Sequence, residues 1–281
     1  MLDWIADYRV VRSLDDPLRP GTRYLAAPPD RLGLRTPQVV IEIGPGEPAD
    51  LLPDLSRWAS AAARAHDEAG WSGLAVPLEV GPLEVGPLDQ ASTPAPQLWL
   101  SRLVEVDERQ VADPLTVVAG AALGLAALHA AGGVHGAISA GRMLTTAAGG
   151  VLDLPPLIGP AVPGLLARVR DPGQLDALAP ELARGEVPTA ASDVWALGAC
   201  LHLALTGRRV RPGMENAVLL TAVQRAAFEP AEVAASQFRA GVLLTGVPAG
   251  DVARMIADCC NFDPGDRPTA GTVAAALAQR P

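Results

Sequence analysis

From Pro114 to Gly141 the chain runs for 28 residues without an Asp, Glu, Lys or Arg. A segment of that length has no polar face to offer water, so the fold must bury it. His129 and His135 are the only residues in it that can carry a charge. A membrane span is one way to bury such a run. The segment is rich in Ala and Gly and poor in large apolar side chains, which favours a helix inside a globular protein. Asp113-Pro114 supplies a helix entrance and Gly132-Gly133 a stop. The rest of the chain has to be able to wrap this helix, and 281 residues with 49% apolar content suffice.

The residues before it read mainly as strands. "YRVVRSL", "QVVIEIG" and "QLWLSRLVEV" are short runs with β-branched residues, bounded by Pro and Gly. One helix interrupts them, from about Leu51 to Gly70, where Leu, Trp and Ala recur at helical spacing. "PLEVGPLEVG", Pro77 to Gly86, is a tandem five-residue duplication that reads as one strand plus a slipped copy in a turn. It is too short for a solenoid repeat. After the buried helix come further helices: "SDVWALGACLHLALTG", apolar almost all round with Ser and Asp at its start, then "PAGDVARMIADCCNF" and "TAGTVAAALAQ". Thr269 is placed to cap the last. Segregated strands and helices predict an α+β fold. A strand-rich unit spans residues 1–105 and a helical one residues 106–281, joined near Val104 to Asp113.

Charge narrows the function. The net charge of −9 argues against nucleic-acid or anionic-membrane surfaces. Arg208, Arg209 and Arg211 form a local basic patch that reads as a solvated loop. All 22 basic residues are Arg, so no Schiff-base or phosphate-binding lysine exists. Cys200, Cys259 and Cys260 are too few and too badly spaced for a disulfide framework or a zinc site. They read as buried thiols of a cytoplasmic protein. "MLDWIADY" lacks the basic start of a signal peptide.

Three motifs stand in order along the second half: Ala-Pro-Glu at Ala179 to Glu181, "SDVWALG" at Ser192 to Gly198, and "FDPGDRPT" at Phe262 to Thr269. Following an "LHAAGGVHG" loop, they make the chain resemble a protein kinase of the bacterial Ser/Thr type over nearly its full length. The resemblance implies a bilobal kinase-like fold. It implies a buried ion pair between Glu181 and Arg267, and it has Asp193 accepting hydrogen bonds from the backbone of the His135 loop.

The same frame locates the chemical parts, and each is altered. Phosphoryl transfer needs phosphates gripped, a metal held and a hydroxyl oriented. The glycine-rich loop corresponds to "LDDPLRPGTRYLA", where only Gly21 remains, Pro17 and Pro20 remove amides, and Asp15 and Asp16 repel phosphate. Glu42 stands where the phosphate-binding lysine belongs, replacing attraction with repulsion. The lysine's usual Glu partner falls at Ala61-Ala62-Ala63, and Glu68 sits at the wrong end of that helix. Ala137 takes the catalytic Asp position and Arg142 the metal-binding Asn position; neither can do that work. The Asp-Phe-Gly motif aligns with Pro155-Pro156-Leu157 without a gap. With a turn two residues shorter it aligns with Asp153-Leu154-Pro155, leaving Asp153 as a surviving metal ligand. Arg102 stands where an adenine-binding strand would run, implying a collapsed or open-sided pocket. His135 reads as a core histidine.

The expectation is a pseudokinase: no enzyme, no cofactor, acting as a protein-binding scaffold or regulatory domain. Partners implied by the family are an FHA-type phosphopeptide reader, an active kinase or a membrane-protein assembly, with no nucleic acid and no membrane insertion by this chain itself. Its expected location is the cytoplasm, alone or as part of a longer membrane-attached protein. Two alternatives remain: a nucleotide-binding sensor without turnover, and an atypical nucleotide-dependent transferase using Glu42, Asp153 and Arg142. Thr145, Thr146, Thr189, Ser192 and Thr206 are candidate phosphosites that caps and turns explain as well.

Overall fold

The computed structural model describes residues 3–14, 23–34, 39–45, 48–69, 73–83, 97–103, 113–146, 149–155, 177–210, 236, 238 and 247–278. Six strands build one sheet in the order β1-β2-β3-β4-β6-β5. They are β1 (Trp4–Ile5), β2 (Tyr8–Ser13), β3 (Arg23–Ala27), β4 (Val39–Pro45), β5 (Val76–Pro82) and β6 (Gln97–Leu103). Every neighbouring pair is antiparallel. The register between β5 and β6 slips at Pro77, where proline has no N–H to give a ladder. The first copy of the duplicated pentapeptide thus forms β5; the second, from Glu84 onward, lies outside the described residues. So does the expected join from Val104 to Ala112.

Alternation along the strands gives the sheet two dry faces. Tyr8, Tyr24, Val39, Ile41, Ile43 and Trp99 pack together on one, covered by Ile5, Leu32 and Leu34. Leu98 and Leu100 point the other way, into the main core beneath α1 (Pro48–Ala69). Trp58, Ala61, Ala62 and Ala65 are the buried stripe of α1.

The uncharged segment forms α2 (Pro114–Ala130), capped by the Asp113 side chain and ended at Ala131. It packs against α1, the β7–β8 hairpin (Met143–Thr146 and Gly149–Leu152), and two later helices. Glycines at its crossings, on α2 itself and on β8, explain how so many neighbours fit. A Cβ on Gly124 would lie 2.2 Å from the carbonyl oxygen of Gly73, and one on Gly150 would lie 2.0 Å from that of Val117. Backbone meets backbone at both crossings. Next to the first, Leu152 and the Gly73–Ala75 segment exchange two backbone hydrogen bonds of 2.8 and 2.9 Å, fastening the hairpin to the sheet's approach.

The remaining helices are α3 (Pro180–Ala183), α4 (Ala190–Thr206), α5 (Ala249–Cys259) and α6 (Ala270–Ala278). α4 runs through the core as its composition predicts, with Trp195 fully buried. It starts two residues earlier than Ser192, because Thr189 and Ser192 form a reciprocal capping box. That cap frees Asp193 for other work. Gly207 closes α4 in the left-handed conformation, and the Thr269 hydroxyl accepts from the Thr272 N–H at the start of α6. The described residues thus form an α+β arrangement, with an antiparallel sheet, a hairpin and six α-helices. None of these helices is long and apolar enough to cross a membrane.

Candidate functional site: a buried cluster of two carboxylates and three arginines

Five charged side chains from five segments meet where the sheet faces the β7–β8 hairpin. Glu42 lies in β4, and Arg23 in β3 is its partner across the antiparallel ladder. Arg102 comes from β6, Arg142 from the 3-10 turn just before β7, and Asp153 follows β8. The Asp153 N–H donates to the Arg142 carbonyl at 2.7 Å, which fixes the last two relative to each other.

Arg142 grips Glu42 with two prongs: Nη1 donates to Oε2 at 2.8 Å and Nη2 to Oε1 at 3.0 Å. Arg102 bridges both carboxylates, its Nη2 donating to Glu42 Oε2 at 3.0 Å and to Asp153 Oδ2 at 2.8 Å. Its Nε lies against Asp153 Oδ1. Arg23 Nη2 donates to Asp153 Oδ2 at 2.7 Å. Asp153 Oδ1 also accepts from the Leu154 N–H, and Arg142 Nη1 reaches the Leu154 carbonyl.

Burial would raise both carboxyl pKa values, but the guanidiniums outweigh it. Arg142 foremost, then Arg102 and Arg23, hold Glu42 down at about 2. Arg102, Arg142 and Arg23 likewise hold Asp153 below the usual carboxylate range. Both are therefore anionic at neutral pH. Neither offers a proton to move.

This geometry revises three expectations. Glu42 does not present a bare repelling charge, because Arg142 and Arg102 neutralise it. Asp153 is not an open metal ligand, because both its oxygens are occupied by arginines and a backbone amide. Arg102 does not line an adenine-facing edge; it is fully buried and points between the carboxylates. Pro155 is described at the end of this segment and half-buried, whereas Pro156 and Leu157 lie outside the described residues. Asp15, Asp16, Pro17, Pro20 and Gly21 are outside them too. Arg23 is the member that sequence reasoning missed. Its signal is indirect: it faces Glu42 only once the β3–β4 register is known. Arg102 carries a plainer signal, a lone cation inside the apolar strand "LWLSRL".

The neighbouring loop is held from below. Asp193 accepts from the N–H groups of His135 at 2.8 Å and Gly136 at 2.7 Å, and its Oδ2 lies 3.0 Å from His129 Nε2. Gly136 has φ +71°, a left-handed conformation that aims both amides at one carboxylate. His135 is buried edge-on to Trp58. Its Nδ1 accepts from the Ala137 N–H, so Nε2 carries the proton donated to the Asp153 carbonyl at 2.9 Å. Burial pushes its pKa down, keeping the ring neutral. Ala137 brings no side-chain chemistry to this loop.

A third charged element ties α3 to the segment before α6. Arg267 forks onto Glu181, Nη1 to Oε1 at 2.6 Å and Nη2 to Oε2 at 2.9 Å. It also donates to the carbonyls of Asn261 and Ala191 and stacks 5.1 Å from the Trp195 ring centroid. Thr146, Thr189, Ser192 and Thr206 all spend their hydroxyls on backbone or capping bonds. Cys200, Cys259 and Cys260 are buried thiols. Among the described residues no group of three His, Cys, Asp or Glu side chains is placed to hold a metal ion. Compared with known proteins, the chain matches no family model and no curated protein.

Proposed function

We propose that the chain is a pseudokinase: a bilobal, kinase-shaped protein without phosphotransfer activity, whose role is to bind another protein. The kinase relationship rests on the three ordered motifs at Ala179–Glu181, Ser192–Gly198 and Phe262–Thr269. One observation carries the functional reading. The residues aligned with the phosphate-binding lysine, a metal-binding Asn and a metal-binding Asp are Glu42, Arg142 and Asp153, and they bind one another. Their charges are consumed inside the protein instead of being held out to a nucleotide.

Admitting Mg-ATP would mean breaking these pairs. Removing one partner from a buried pair costs roughly 3–5 kcal/mol, comparable with the affinity of a millimolar ligand. The binding role is what the resemblance implies for such a site, with an FHA-type reader, an active kinase or a membrane-protein assembly as partner classes.

Thermal unfolding with and without ATP and Mg²⁺ tests the reading. A nucleotide present at about 100 times its Kd would add roughly 2.7 kcal/mol. The expected result is an unchanged midpoint. A magnesium-dependent rise would favour an atypical transferase instead, and a magnesium-independent one a nucleotide sensor.

A further inference from the structure

Two pieces of chain cover the apolar face built by Tyr8, Tyr24, Val39, Ile41 and Trp99. One is β1 with the turn after it, which lays Ile5 onto that face at 1% exposure. The other is the 3-10 turn Asp30–Leu32 and the two residues beyond it, which bring Leu32 and Leu34. Little backbone pairing holds either piece. β1 has only two residues and stands at one end of the strand order. The 3-10 turn is closed by the N–H groups of Leu32 and Gly33, donating to the carbonyls of Pro29 and Asp30.

Arg31 joins the two pieces. It forks onto Asp7, in the turn between β1 and β2, with Nε donating to Oδ2 at 2.7 Å and Nη2 to Oδ1 at 2.9 Å. A second fork reaches Glu79 of β5, with Nη1 donating to Oε1 at 2.5 Å and Nη2 to Oε2 at 2.8 Å. β1 and β5 are opposite ends of the strand order, so one guanidinium ties the two edges of the sheet together. Beneath it the Tyr8 hydroxyl donates to Glu79 Oε2 at 2.5 Å and lies 2.9 Å from Ser101 Oγ. Arg31 holds the carboxyls of Asp7 and Glu79 below their usual range, so both are ionised at neutral pH. Ala6, beside Asp7, has φ +51°, a left-handed conformation that is strained for a residue with a Cβ. That turn needs a hold from outside, and Asp7 is where Arg31 grips it. Two bidentate forks on one side chain are the geometry in which an exposed ion pair contributes measurably.

We infer that residues 4–7 and 30–34 form a latched strap, which opens as one unit ahead of the rest of the fold when Arg31 releases its carboxylates. Salt can reach the latch, because the Arg31 and Asp7 side chains are 48% and 46% exposed and Glu79 is 26% exposed. Opening uncovers the face of Tyr8, Ile41 and Trp99, so the latch sets whether this face of the sheet is closed or available. Glu42 alternates with Ile41 and Ile43 along β4, which puts its cluster on the opposite face. The inference rests on the sheet's own geometry and not on the kinase resemblance.

Hydrogen exchange of the full chain, read by mass spectrometry and referenced to an unstructured peptide in the same buffer, is the test. Arg31→Gln is expected to exchange about three- to tenfold faster in peptides spanning residues 3–14 and 28–34, with peptides of α2 and α4 unchanged. Raising sodium chloride from about 0.05 M to about 1 M should do the same to the wild type and add little to the variant. Unchanged exchange in the variant would overturn the inference. So would an equal rise in α2 and α4, since the strap would then have no opening of its own. A local rise in the variant without a salt response in the wild type would overturn it as well, because Arg31 would be holding by packing and not by charge. Should Arg31→Gln fail to fold, the salt series on the wild type decides alone: a rise confined to the two strap segments supports the latch, and its absence refutes it.

Discussion

A buried guanidinium with its carboxylate removed has no water to turn to, and Arg267 would be in that position without Glu181. Glu181→Ala is expected to lower stability by roughly 3–5 kcal/mol. Urea unfolding at pH 7 measures it, and a loss below about 1 kcal/mol would mean that the fork contributes little. Arg267→Lys should be nearly as damaging, because an ammonium cannot make the fork or stack on Trp195. These residues were legible in the sequence because local motifs carry them. The Asp193 contacts were legible for the same reason. The cluster around Glu42 was legible only in part. Which residues are charged, and which positions they replace, can be read from the chain. That Glu42 and Arg142 pair with each other is a fact of the third dimension, 100 residues apart in sequence. Arg23 could not be read at all, since its role depends on strand register.

Helix α2 shows how an element's composition answers to its neighbours. By intrinsic propensity Gly124→Ala should stabilise a helix by up to about 1 kcal/mol. Here the added methyl would lie 2.2 Å from the Gly73 carbonyl oxygen, which is backbone and cannot swing aside. Overpacking of this kind costs typically 1–3 kcal/mol, so the variant is expected to be net destabilised; a midpoint in urea at or above the wild type would refute the close approach. The strands and helices themselves were largely visible from periodicity: β2, β4, β6, α1 and α2 fall where their patterns put them. The start of α4 was not, because Thr189 outcompeted Ser192 and Asp193 as the cap. Asp193 was then available to hold the His135 loop.

Across the whole molecule, the buried titratable groups should make stability fall in two stages on acidification. His135 has a folded pKa lowered by burial from 6.5. The unfolded chain therefore takes up a proton first, and stability present above pH 6.5 declines below it. The slope from one histidine is at most about 1.4 kcal/mol per pH unit. Glu42 has its folded pKa lowered from 4.5 to about 2, and Asp153 is lowered from 3.8. Their contribution is complete above pH 4.5 and is lost as pH falls towards 2; for Glu42 it is of order 3 kcal/mol. Urea midpoints from pH 8 to pH 3 should show both stages, and His135→Asn should flatten the first. The two parts of the cluster, sheet and hairpin, are joined by these same charges. The most direct measurement of that union is a double-mutant cycle on Glu42→Gln and Arg142→Met, read by equilibrium unfolding. A coupling of roughly 1.5–3 kcal/mol is predicted, with the double variant far less damaged than the sum of the singles. Additivity within about 0.5 kcal/mol would mean that Glu42 and Arg142 do not hold each other, and the closed-site account would fail.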